Sequence, residues 1–388
     1  VAILVLAFVG FFAPAAVLSA VTPTVIKLQL ASLEETGEVV GRLSAVSTVG
    51  ALAGTFVTGF VLVAALPSRP ILIVVGVALI AVGLLLWRGP GSAGLGSPRQ
   101  AAVLGLLGLA LTAAVPGPCE VESAYYCARV DVDPGRASGR ILQLDRLSHS
   151  YVDLDDPAHL EFAYTQMFGD VVSTLDPAGP LDALHIGGGG FTMPRYLEAV
   201  RPGSRSLVLE LDPSLVSIAR TELGLATSER LRVEVGDARL GIDAQPDDSY
   251  DLVIGDAFGG LAVPWHLTTR EVVEQIDRTL RPGGVYLLNV IDYPPLGFAR
   301  AEAATLAAVF DHVAVIALAE RVAGVDGGNL VLVGSDAPLD VAGIRAAIAA
   351  RDGEQIVAEG AQLDEFIGDA RILTDDFAPV DQLLTPRG

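Results

Sequence analysis

Long apolar runs crowd the first third of the chain, and short ones alternating with polar turns fill the rest. Four stretches stand out: Val1 to about Val21, Val39 to Leu66, Ile71 to Trp87 and Ala101 to Val115. A helix crosses the hydrocarbon core of a bilayer with about 20 residues, and roughly 17 is the lower limit. The first two stretches exceed that length, the third reaches it, and the fourth falls short. The second carries Gly50, Ala53, Gly54, Thr58 and Gly59, small side chains that let helices approach closely in lipid. Runs this free of charge predict transmembrane helices over 1–118 rather than a buried hairpin of a soluble protein. Segment 92–98 is a Gly/Ser/Pro loop, and Pro116-Gly117-Pro118 breaks the chain where this region ends.

Beyond that break the pattern changes. Tyr125–Val132 and Arg140–Leu147 read as strands joined by the turn Asp133-Pro134-Gly135, which makes 119–155 a small β-rich segment. A helix is expected over 156–175. Strands then follow near 182–187, 206–211, 231–235, 250–255 and 284–291, with helical patterns at 193–200, 213–223 and 268–280. Such alternation predicts a parallel sheet with crossover helices, an α/β unit spanning 156–388. Residues 336–370 read as helical and acidic, with no chemistry visible in them.

Charge divides the chain at the same place. Of 388 residues 51% are apolar, and the net charge is −21. Residues 1–118 hold Lys27, Arg42, Arg69, Arg88 and Arg99 against Glu34, Glu35 and Glu38, a net of +2, which leaves −23 for 119–388. A domain this acidic repels nucleic acid and favours the approach of a small cationic substrate. The loops 22–38 and 88–100, with their flanks, carry four of the five basic residues. If all four stretches span, those loops share a side, and the positive-inside rule would make that side cytoplasmic and push the acidic domain outside. Cys119 and Cys127 form neither a metal spacing nor a disulfide framework, and the five histidines form no zinc cluster, so no metal is expected. The chain starts with Val1 inside an apolar run, which reads as a truncated N-terminus with further helices upstream.

The candidate chemistry lies at successive strand ends. The first strand closes in His185-Ile186-Gly187-Gly188-Gly189-Gly190, a turn whose glycines let the backbone approach a ligand. The second ends in Leu209-Glu210-Leu211-Asp212, with an acid about 20 residues past that turn, placed to accept hydrogen bonds from ribose hydroxyls. A nicotinamide enzyme would fit this much equally well. Asp212 precedes Pro213 and reads as a helix cap. The third strand closes with Gly236-Asp237-Ala238 and the fourth with Gly255-Asp256-Ala257-Phe258, each adding a carboxylate where ligands of open α/β sheets bind. Leu280-Arg281-Pro282-Gly283-Gly284 then turns into a fifth strand.

This series resembles the class I S-adenosylmethionine fold in its spermidine synthase (polyamine aminopropyltransferase) branch. Leu142–Asp145, Phe162-Ala163-Tyr164, Pro264–Leu267 and Leu373–Asp376, with Gly41–Ala45 in the apolar region, are similar to membrane-bound bacterial members with N-terminal transporter-like helices. The resemblance implies a Rossmann-like transferase domain behind transmembrane helices, in a multi-pass protein of the bacterial inner membrane. It implies decarboxylated S-adenosylmethionine, or S-adenosylmethionine itself, as group donor, and an adenosyl donor argues for a cytoplasmic catalytic domain. Glu210 would hold the ribose hydroxyls, Asp237 and Ala238 the adenine, and Gly187, Gly188 and Gly189 would line the cofactor, with Leu211 among its contacts. Asp256 would touch the donor and act as general base. Tyr164, Gln166, His149 and Asp292 are the substrate-binding candidates. Partners are then a small amine and membrane lipid, with a homodimer as a further expectation.

Several positions depart from the family pattern. Gly190 stands where family members that make spermidine carry an aspartate for the amine end of the donor, and Gly259 where a second acid binds the far ammonium of the diamine. Thr165 and the neighbourhood of His149 replace polar residues of the amine site. Losing a carboxylate from a buried ammonium costs on the order of 2–5 kcal/mol, so two such losses remove most affinity for a diamine unless other acids replace them. Asp153, Asp155, Asp156, Glu161, Asp292, Asp375 and Asp376 are the candidates. The leading expectation is aminopropyl transfer with release of methylthioadenosine. Methyl transfer from S-adenosylmethionine, and a non-catalytic membrane sensor of adenosyl ligands or polyamines, are the alternatives.

Overall fold

In the computed structural model, residues 2–29, 36–87, 119–175, 179–260 and 263–385 are described, with 103, 105, 108 and 110 between them. The chain divides into two compact units, Val1–Pro116 and Gly117–Gly388. The first contains helices α1 (Ala2–Gln29), α2 (Thr36–Val57, running on as a π-helical turn over Thr58–Leu62) and α3 (Ser68–Trp87). Among the described residues two helices are long and apolar enough to cross a membrane, Thr36–Leu62 and Ser68–Leu85. Neither shows the single apolar stripe of a surface helix, because apolar side chains surround both. Most of the fourth apolar stretch, 101–115, lies outside the described residues.

The second unit opens with a four-stranded antiparallel meander, β1 (Val121–Glu122), β2 (Cys127–Val132), β3 (Gly139–Leu144) and β4 (Leu147–Asp153). The sequence pattern had merged the start of β4 with β3. Asp145 takes a positive φ there and makes a tight turn that hydropathy alone does not mark. Cys119 and Cys127 form a disulfide across the start of this meander, a correction to the reading that they make no disulfide framework.

An eight-stranded sheet follows. Strands β5 (Asp182–Ile186), β6 (Arg205–Glu210), β7 (Leu231–Val235), β8 (Tyr250–Gly255) and β9 (Leu280–Asp292) run parallel in the spatial order β7-β6-β5-β8-β9. Three antiparallel strands extend it beyond β9, namely β11 (Gly328–Ser335), β10 (His312–Leu318) and β12 (Gln355–Ala358). β12 corrects the all-helical reading of 336–370.

Side chains of a strand alternate between faces, and here both faces are covered. Leu184 and Ile186 enter one core layer with Leu207, Leu209 and Val253, while Ala183, Leu252, Ile254 and Leu287 enter the other, beneath helix α4 (Ala163–Thr174). That is why these strands read as continuous apolar runs rather than alternating ones. The meander is fastened by a third layer, in which Leu142, Leu144 and Val152 pack with Phe191, Val208 and Leu215. It brings β4 over the glycine turn that follows β5.

Candidate functional site

Strand order reverses at β5, whose neighbours β6 and β8 lead away in opposite directions, and ligands of open α/β sheets bind in the crevice outside such a point. Four strands deliver their last residues there. Gly187 has φ +93° and lies so close to the next strand that a Cβ would sit 2.5 Å from the backbone oxygen of Asp256. Only glycine combines that dihedral with that approach. The turn ends on Gly190, whose N–H donates to Ser150 Oγ of β4 at 3.0 Å.

Glu210 closes β6 and folds back under the turn. Its Oε2 accepts the N–H groups of Gly188 (2.8 Å) and Gly189 (3.3 Å), and its Oε1 accepts that of Asp212 (2.8 Å). Burial pushes the carboxyl above its ordinary range, and the three amides act against that shift. Asp212 caps the helix Pro213–Glu222 through Ser214 N–H, as expected. Asp237 caps the short helix Ala238–Asp243 through Arg239 N–H, and its other oxygen faces His266 Nε2 at 3.6 Å.

Gly187, Gly189, Glu210, Leu211, Asp237, Ala238 and Asp256 line one cleft, together with Tyr126, Phe258 and His266. Gly188 is not on its wall but aims Glu210 through its N–H. A second cleft lies beside the first, lined by Glu161, Phe162, Tyr164, Asn289, Tyr293 and Asn329. Asp256, His149 and Phe258 belong to both clefts.

Asp256 is therefore a carboxylate in a dividing wall. Its Oδ2 accepts from the Tyr164 hydroxyl (3.1 Å) and its Oδ1 from Asn289 Nδ2 (2.8 Å), while Asn329 Nδ2 donates to Asn289 Oδ1 (3.0 Å). Burial lifts the Asp256 pKa from its usual value to about 6, against the pull of these two donors. Tyr164, buried beside that carboxylate, is pushed well above its ordinary value and stays a proton donor. Burial lowers His149 to about 4, so its ring is neutral near pH 7.

Two of the expected substrate contacts do not meet either cleft. Gln166 is two residues from Tyr164 on α4, and residues so spaced do not share a helix face. Its Nε2 donates to Leu160 O (2.8 Å) and its Oε1 accepts from Arg351 (3.3 Å). Asp292 is fully buried, and accepts N–H groups from Tyr293, Phe298, Ala299 and Thr385 at 2.8–3.0 Å. It fastens the start of helix Gly297–Ala307 and the C-terminal segment. Among the other acids considered as replacements, Asp153 is buried against Arg136 and Asp375 is bidentate with Arg239. Glu161 alone of that set lines the second cleft.

Sequence reasoning overlooked Tyr126 and Asn289. Tyr126 donates its hydroxyl to the Phe258 carbonyl, and burial, with Glu210 nearby, pushes it up to about 12. Ser123 Oγ accepts from Tyr125 N–H and Tyr126 N–H, forming the turn that presents this ring. The signal for Asn289 was a lone amide within the apolar run Tyr286–Ile291, where a buried polar group must find a partner.

No family model matches the chain. It is 33% identical over 141 residues to a polyamine aminopropyltransferase of Vibrio vulnificus, and 30% identical over 148 residues to one of Chromobacterium violaceum. Each match covers 36% of this chain, with 46% and 53% of the respective relative, so the chain spans about half the length of the curated relatives it matches. The crystal structure of a probable spermidine synthase from Corynebacterium glutamicum superposes with a TM-score of 0.62 at 29% identity, covering 70% of this chain and 100% of that one. The resemblance to the spermidine synthase family is thus one of both sequence and fold, and the second unit is an α/β, Rossmann-like domain of the class I methyltransferase type.

Proposed function

We propose that the second unit is a spermidine synthase-like aminopropyltransferase, carried on membrane-spanning helices, that moves an aminopropyl group from decarboxylated S-adenosylmethionine to an amine. The observation that carries this reading is Asp256, a single carboxylate in the wall between two clefts. The first cleft suits an adenosyl group: Glu210 for the ribose hydroxyls, Asp237 and Ala238 for the adenine edge, Leu211 and Phe258 for its faces. The second suits the amine. The two long apolar helices support the membrane anchor.

The acceptor enters as an ammonium and gives a proton to Asp256. Its freed lone pair attacks the propyl carbon bound to sulfur, a C–N bond forms, and the C–S bond breaks. Sulfur leaves with the bonding pair as neutral methylthioadenosine. The leaving group needs no acid, so the enzyme's task is alignment and deprotonation. Tyr164 and Asn289 hold both Asp256 oxygens and so fix where the proton goes. A pKa of about 6 leaves Asp256 ionised at pH 7 yet basic enough to accept. Positioned base catalysis contributes typically on the order of 10²–10⁴-fold.

Methyl transfer is the second reading, favoured by Gly190. A Cβ there would sit 2.7 Å from Ser150 Cβ, so an acid could hold the donor's amine end from that place only if β4 shifted. One experiment separates the readings: mass spectrometry of products from the purified protein with each adenosyl donor and a panel of amines. Methylthioadenosine with a product heavier by one aminopropyl unit is expected, and Asp256→Asn is expected to reduce it by about 10²-fold or more. S-adenosylhomocysteine with a methylated product would instead make this a methyltransferase. Full activity in Asp256→Asn would remove the proposed base.

A further inference from the structure

The second cleft contains two carboxylates and no opposing positive charge. Among its described lining residues Asp256 stands in the wall shared with the first cleft and Glu161 is exposed, no lysine or arginine lines it, and the His149 ring is neutral. Asn289 and Asn329 complete the inner end as uncharged amides. An amine with one ammonium would satisfy Asp256 and leave Glu161 idle.

Glu161 is not a loose surface acid. Its Oε2 accepts from His159 Nε2 at 2.9 Å, and His159 Nδ1 faces Arg136 Nη1 at 3.2 Å. Arg136 is in turn fixed on the buried carboxylate of Asp153 and reaches Asp156 at 3.5 Å. With Arg136 donating into Nδ1, the imidazole presents Nε2–H to Glu161. The relay orients the carboxylate. Its side chain is 49% exposed, so it holds its partner at the mouth of the cleft rather than in the interior.

We infer, on the basis of the aminopropyl-transfer reading, that Glu161 is the specificity-determining anchor for the far cation of an acceptor with two cationic ends. Asp256 takes the reacting nitrogen and Glu161 the distal one. A distal ammonium held at the mouth can trail into solvent, so the acceptor class is open-ended: longer diamines and amines substituted at the far end fit as well as short ones.

The test uses the full chain with decarboxylated S-adenosylmethionine and three acceptors: 1,4-diaminobutane, 1,6-diaminohexane and hexylamine. In the unaltered protein both diamines are expected to be used more efficiently than the monoamine. A partly exposed charge pair is worth up to about 1 kcal/mol, so Glu161→Gln should lower the diamine-to-monoamine ratio of kcat/KM by roughly two- to fivefold, through KM. His159→Ala should lower the ratio by a smaller factor, because the carboxylate stays while its orientation is lost. Adenosyl-ligand affinity measured by calorimetry in each variant reports that the fold and the first cleft persist. An unchanged ratio in Glu161→Gln, or a preference for hexylamine in the unaltered protein, overturns the inference while leaving aminopropyl transfer standing. Absence of aminopropyl product with every acceptor overturns both.

Discussion

At the scale of single residues, Asp256 links catalysis and stability with opposite signs. A carboxyl whose folded pKa exceeds its unfolded one contributes stability that is full below the unfolded value and lost as pH rises through the folded value. For Asp256 that window runs from 3.8 to about 6. A difference of about two pKa units corresponds to roughly 3 kcal/mol, which the ionised form costs the empty protein above pH 7. Asp256→Asn removes the charge and keeps a side chain able to pair with Tyr164 and Asn289. Thermal melts should therefore show the variant more stable than the parent at pH 8 and no more stable at pH 4. The transfer rate of the parent should rise with pH through about 6, as the base loses its proton. A melting gain that persisted at pH 4 would disconnect the effect from this ionisation.

At the scale of elements, what the sequence pattern could reveal depended on whether an element's partners are near in the chain. The five parallel strands and their helices were legible because each strand is a buried apolar run closed by a polar turn. The ligand-facing acids were legible because a parallel sheet places the end of every strand on one edge. Strands β10 and β11 were not expected, since an apolar strand buried on both faces reads like a core helix. The second cleft was the least legible part. Its residues come from β4, α4 and the segment before it, the turn after β8, β9 and β11, and only folding shows that Glu161 turns into it while Gln166 and Asp292 turn away. The family pattern supplied Tyr164 and Asp256, but it could not supply the local replacement of one acid by another.

Gly190 shows how one element constrains another. Strand β4 crosses the glycine turn so closely that a side chain at 190 would collide with Ser150 and Val152. Overpacking of this kind costs about 1–3 kcal/mol. Gly190→Ala is expected to lower the urea midpoint accordingly and to loosen adenosyl binding, because the same turn aims Glu210. An unchanged midpoint would mean that β4 yields at no cost, and the space could then hold the family's acid after all.

At the scale of the whole molecule, charge and cysteine usage bear on the same question, the side of a membrane on which the acidic unit would work if the proposed anchor spans one. The proposed adenosyl donor argues for the cytoplasm. The distribution of basic residues, four of five in the loops 22–38 and 88–100 with their flanks, argues for the other side if all four apolar stretches span. The Cys119–Cys127 disulfide adds weight to the second argument, since such bonds persist in oxidising compartments and are rare in the cytoplasm. It also closes the loop that carries Tyr126 to the first cleft, so its redox state bears on the site. These two residues are the only cysteines in the sequence, which makes the measurement clean. Membranes prepared under rapid alkylation should show no thiol labelled before reduction and two labelled after it. That outcome, with label added to intact cells under reducing conditions from a membrane-impermeant reagent, would place the catalytic unit outside and require an external supply of adenosyl donor. Two thiols reactive without reduction would mean a reduced pair, consistent with a cytoplasmic unit whose Tyr126 turn is held by Ser123 alone.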